Sequence, residues 1–108
     1  MNKREAKAIL AEQVARLRRQ SYSELRRYIS KERFRIGPIS FGGGENVEAL
    51  EVTGESGAEY QLEIGAVWDD RPDGDLRIIV SIDDGGLRAF APLTESFIIA
   101  PDGSFVGE

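Results

Sequence analysis

The chain has 108 residues, 41% hydrophobic and 31% charged, with 14 Lys and Arg against 19 Asp and Glu for a net charge of −5. That length supports one hydrophobic core and is too short for two. It contains neither cysteine nor histidine, which excludes disulfides, thiolate nucleophiles, thiolate or imidazole metal sites and histidine-based proton transfer, so neither a cofactor nor a metal is expected.

No run approaches the roughly 18 apolar residues of a membrane span, and Met-Asn-Lys-Arg-Glu leads into no apolar h-region, so the expectation is a soluble, cytoplasmic, membrane-free protein. The charge is split along the chain. Residues 1–35 carry eleven Lys and Arg against four Glu, a net +7, while residues 36–108 carry three Arg against fifteen carboxylates, a net −12. Two accounts fit this split: a basic arm for an acidic partner, or a basic segment lying along the acidic remainder of its own molecule.

From Lys3 to about Gln20 the residues are strong helix formers without Gly or Pro, and Ala6, Leu10, Val14 and Leu17 recur on one face. Ser21-Tyr22-Ser23-Glu24 fits a capping box that starts a second helix, about residues 22–32, continued by Leu25, Tyr28 and Ile29. Arg33 to Ile36 alternates. Gly37-Pro38 and Gly42-Gly43-Gly44 then predict a loop or irregular edge over residues 37–45.

Beyond it the hydrophobic period changes to two. Leu50 and Val52 mark a first strand, about 47–53; Tyr60, Leu62, Ile64, Ala66 and Trp68 line a second; Leu76, Ile78, Val80 and Ile82 a third; Leu87, Ala89, Ala91 and Leu93 a fourth. A three-residue loop at Glu55-Ser56-Gly57 pairs Gly54 with Ala58, setting Val52 opposite Tyr60 and Leu50 opposite Leu62. Residues 69–74 form the next turn. Asp83-Asp84-Gly85-Gly86 is expected to pair Ile82 with Leu87. Phe97-Ile98-Ile99 reads as a short strand or continuation after a bend at Pro92, with Phe105-Val106 folding back against it after the turn at Pro101-Asp102-Gly103. The predicted fold is α+β, a single domain over 1–108: two N-terminal helices packed on one face of a four- to five-stranded antiparallel meander, with 1–35 as the basic helical segment and 45–108 as the acidic sheet.

No catalytic constellation emerges. Asp69 to Asp75 resembles a calcium loop at Asp69, Asp73 and Gly74, but Arg71 stands at the third position and Val80 at the twelfth, so the segment reads as a turn. Gly37 and Gly42 have the spacing of a phosphate loop, yet Gly43 and Gly44 replace its Lys and Ser/Thr. Glu51, Glu59 and Glu63 fall on a polar sheet face with no evident cleft for paired-carboxylate hydrolysis.

Three functional readings remain. The first is a non-catalytic, bacterial-type adaptor or regulatory domain acting by protein contact or self-association, through an apolar patch of Val67, Ile79 and Phe90 ringed by Arg77 and Arg88. The same patch can alternatively be covered by the segment from Phe97 to Val106. The second is nucleic-acid binding by Arg16, Arg18, Arg19, Arg26 and Arg27 on phosphates, opposed by the −12 of the rest of the chain. The third is a small-molecule pocket near Tyr28, Tyr60 and Trp68.

Overall fold

The computed structural model describes residues 3–29, 34–36, 39–41, 48–84 and 93–108. Helix α1 spans Lys3–Arg18. A short helix α2, Tyr22–Leu25, runs directly into a 3₁₀ turn, Arg26–Tyr28. The joint is set by Ser21, whose hydroxyl accepts the Glu24 N–H at 3.1 Å while the Glu24 carboxylate accepts the Ser21 N–H at 3.1 Å. The capping box therefore forms as its sequence requires. The second helical segment is shorter than expected. Ile29 is already extended, with φ −64° and ψ 130°, and forms a parallel bridge to Ala66.

Strands β1 (Phe34–Ile36) and β2 (Ile39–Phe41) pair antiparallel as a separate two-stranded sheet. Part of the segment expected to be irregular is therefore strand, because Ile39-Ser40-Phe41 keeps the alternation that pairing needs. The glycine run at 42–44 lies outside the described residues.

The main sheet contains β3 (Glu48–Thr53), β4 (Glu59–Trp68), β5 (Leu76–Asp83) and β6 (Leu93–Ile99), in the order β3-β4-β5-β6 and antiparallel throughout. The first hairpin takes the expected register, Val52 opposite Tyr60 and Leu50 opposite Leu62. Its three-residue loop closes through Gly54 N–H to Ala58 O at 2.8 Å, with Gly57 at φ 89°. A left-handed residue is what turns a three-residue loop into the bulge that matches the strand twist.

The fourth strand departs from expectation. Ile82 pairs with Leu93, Ile78 with Phe97 and Leu76 with Ile99, instead of Ile82 with Leu87. The expected segment has the cleaner alternation, since Glu95 interrupts the observed one, but the observed one offers Phe97 and Ile99 where the other offers Ala89 and Ala91. Apolar burial at about 25 cal/mol per Å² favours the larger side chains. Residues 87–91 lie outside the described residues. The end of the chain folds back as anticipated: Ile99 bridges Phe105, and the Val106 N–H donates to Ile98 O at 2.9 Å.

Ala6, Leu10 and Leu17 of α1, together with Leu25 and Tyr28, share one core with Tyr60, Leu62, Ile64, Ala66, Leu76, Ile78, Val80, Ile82, Phe97 and Ile99. The other side of the sheet is less open than period-two alternation predicts. Gly65, Ile79 and Ser81 are buried there as well, so β5 is buried on both faces from Ile78 to Ile82.

Candidate functional site

Three polar clamps tie the basic helical segment to the acidic sheet, and they fix where a surface is left open. At the start of α1 the Glu5 carboxylate accepts the Ser56 N–H (3.0 Å), the Ser56 hydroxyl (2.7 Å) and the Tyr60 hydroxyl (2.8 Å). The bond from the Ser56 hydroxyl, and then that from Tyr60, hold Glu5 below the usual carboxylate range; burial, and then Glu5 itself, push the Tyr60 phenol up. At the end of α1, Arg18 forks onto Glu108, one bond being 2.7 Å, and lies over Phe105. At the 3₁₀ turn, Arg26 pairs with Asp73 and lies 5.1 Å from the Trp68 ring centroid, while the Tyr22 hydroxyl donates to Gly74 O at 2.6 Å. Two of the three clamps, Arg18–Glu108 and Arg26–Asp73, join a basic residue of the helical segment to a carboxylate of the acidic half.

Held this way, α1 runs over β5 and β6. A groove of ≈ 600 Å³ remains between α1 and β3, with Arg4, Ile9 and Glu12 on the helix side and Val52, Thr53 and Glu55 on the strand side. Of its lining residues, Val52 and Ile9 are half-buried. β3 is an edge strand of its sheet. Gly54 and Ala58 form a hydrogen-bonded pair, so alternation makes Val52–Tyr60 and Leu50–Leu62 the bonded pairs and turns the N–H and C=O groups of Ala49, Glu51 and Thr53 away from β4. Among the described residues no strand pairs with that side of β3. The opposite edge is treated differently, since the C-terminal residues fold back over the end of β6 through Ile99–Phe105 and Ile98–Val106.

The residues singled out from sequence are distributed differently from the patch they were to form. Ile79 is 2% exposed and faces Gly65 and Ser96 across the sheet instead of Phe90. Val67 is half-buried opposite Arg77, as read. Arg77 donates two bonds, 3.1 and 2.8 Å, to Asp69 Oδ1. Phe90 and Arg88 lie outside the described residues. The segment Phe97–Val106 is not a cover for this face: Phe97 sits in the core beside Ile78, with Phe105 edge-on to it at 5.8 Å.

Of the arginines considered for phosphates, Arg18 and Arg26 are engaged in the clamps. Arg16 donates to Gln13 at 3.0 Å, and Arg27 donates to the Tyr28 hydroxyl at 2.8 Å. Arg19 is exposed. Tyr28 and Tyr60 are each 1% exposed and line the core rather than a pocket; Trp68 is half-buried beneath Arg26.

Among the described residues no group of His, Cys, Asp or Glu is arranged to hold a metal ion, and no helix is long and apolar enough to cross a membrane. The groove was missed from sequence, although one signal pointed to it: the first strand of a meander is necessarily an edge. Compared with protein-family models, with curated proteins and with solved structures, the chain matches none.

Proposed function

We propose that this chain is a non-catalytic, cytoplasmic protein-contact domain, an adaptor or regulator that engages its partner along the groove between α1 and β3. In this reading the helices cover one sheet face and stop short of β3, which leaves a recognition strip along the sheet edge. The observation that carries it is the β3 edge, which no strand among the described residues covers, with outward backbone groups at Ala49, Glu51 and Thr53 beside the half-buried Val52 and Ile9. Unpaired strand edges next to apolar grooves are a recurrent means of binding another chain.

A photo-crosslinking residue placed at Thr53, expressed in the native cells, tests this against the same residue at Asp70 in the distant turn. The expected result is a discrete protein adduct from Thr53 and none from Asp70. No adduct from Thr53 would remove the reading. Nucleic-acid binding by Arg16, Arg18, Arg19, Arg26 and Arg27 is the less favoured alternative, because Arg18 and Arg26 are engaged with Glu108 and Asp73. A DNA and RNA titration at about 50 mM salt, where phosphate contacts are strong, is expected to give no binding.

A further inference from the structure

We infer that β3 accepts an extended segment of another protein as an added antiparallel strand, and that this segment alternates apolar side chains with Lys or Arg. The inference rests on the protein-contact reading above and gives that contact its geometry and partner chemistry.

The backbone supplies the first half of the argument. Ala49, Glu51 and Thr53 direct their N–H and C=O groups away from the sheet at every second position, which is the spacing an incoming strand needs. The two faces of β3 supply the second half. Leu50 and Val52 lie on the core side of β3, and Val52 lines the groove together with Ile9, so alternate side chains of an added strand would enter the ≈ 600 Å³ groove and need to be apolar. On the other face, Glu51 stands opposite Gln61 and is exposed. On that same face the β4 residues paired with Ala49 and Thr53 are Glu63 and Glu59. The intervening side chains of the partner therefore meet mainly carboxylates, and cationic ones fit best.

The same charges argue against a second copy of this chain as the occupant. The two-fold register that uses all three outward residues pairs Ala49 with Thr53 and Glu51 with Glu51, placing two carboxylates in direct opposition.

The test uses the full chain and a fluorescein-labelled peptide of roughly nine residues alternating Lys and Val, compared with the same peptide carrying Glu for Lys. Anisotropy at about 50 mM salt is expected to show binding of the Lys peptide, at least tenfold tighter than the Glu peptide. Amide exchange of Ala49, Glu51 and Thr53 is expected to slow on binding. Thr53→Pro removes one outward N–H while leaving the β3–β4 ladder intact, and is expected to weaken binding about tenfold, the loss of one backbone hydrogen bond. Glu51→Lys, at an exposed position, is expected to reverse the preference between the two peptides.

The inference is overturned by absence of binding, by equal binding of both peptides, or by binding that leaves those three amides unchanged. It is also overturned if light scattering gives a dimer that Thr53→Pro dissociates, since the occupant would then be a second copy. A protein adduct from the Thr53 crosslinker combined with no peptide binding would remove this inference and leave the protein-contact reading standing.

Discussion

The Arg18 guanidinium lies 4.0 Å from the centroid of the Phe105 ring while its fork holds Glu108. One side chain at the end of α1 thereby anchors the last turn of the chain, and Phe105 in turn packs edge-on against Phe97 at an interplanar angle of 77°. Cation–π contacts of this kind contribute about 0.5–1 kcal/mol at half-exposed sites. Arg18→Ala is expected to lower Tm by roughly 4–8 °C per kcal/mol lost in a domain of this size. Arg18→Lys should recover only part of the loss, because an ammonium cannot fork onto a carboxylate while stacking on a ring. Thermal denaturation followed by circular dichroism measures both; an unchanged Tm for Arg18→Ala would show that the clamp contributes nothing.

Glu5 predicts a pH dependence with a definite sign. Its carboxylate is held below its ordinary range, first by the Ser56 hydroxyl and then by Tyr60. A lowered folded-state pKa stabilises above the unfolded-state value and is lost as pH falls through the folded-state one. Glu5→Gln is therefore expected to be less stable than the natural chain at neutral pH, with the difference shrinking below about pH 4. Urea midpoints of the two proteins across pH 3–7 check this, and a pH-independent difference would contradict it.

Glu63 behaves in the opposite sense. Burial, and after it the charge of Asp83, pushes its carboxyl up. Ionising a group whose folded-state pKa is raised costs stability, so the contribution is fully present below the unfolded-state value and lost as pH rises through the folded-state one. Glu63→Gln is expected to raise Tm at pH 7 and to make little difference below about pH 4. The same pair of denaturation series decides it, and a Tm that falls at pH 7 would refute the sign.

The boundary between α1 and α2 rests on Ser21. Its hydroxyl caps the Glu24 N–H, and the Glu24 carboxylate completes the box by accepting the Ser21 N–H. Ser21→Ala is expected to cost about 1 kcal/mol, with Ser21→Asn or Ser21→Asp close to neutral because both retain a capping oxygen. Equilibrium denaturation of the three variants tests the ordering.

Local chemistry made much of the fold legible. The stripe Ala6, Leu10, Leu17, the capping box at Ser21 and the register of the first hairpin each depend on residues near one another in the chain. Period, hydroxyl placement and loop length act at short range, so these features could be read from sequence. The fourth strand could not be chosen in the same way, because residues 87–93 alternate cleanly while Glu95 interrupts the apolar pattern of 93–99. What separates them is how much apolar surface Ile78 and Leu76 bury against Phe97 and Ile99, a comparison that exists only once β5 has a neighbour. The burial of Ile79 and the engagement of Arg18 and Arg26 belong to the same class: each depends on a partner far away in sequence, Arg18 meeting Glu108 and Arg26 meeting Asp73. Sequence alone thus determined the helix–sheet composition, the separation of charge and the absence of thiol and imidazole chemistry. Tertiary structure decided which charges are consumed internally and which strand edge stays open, because both depend on where α1 comes to rest across the sheet.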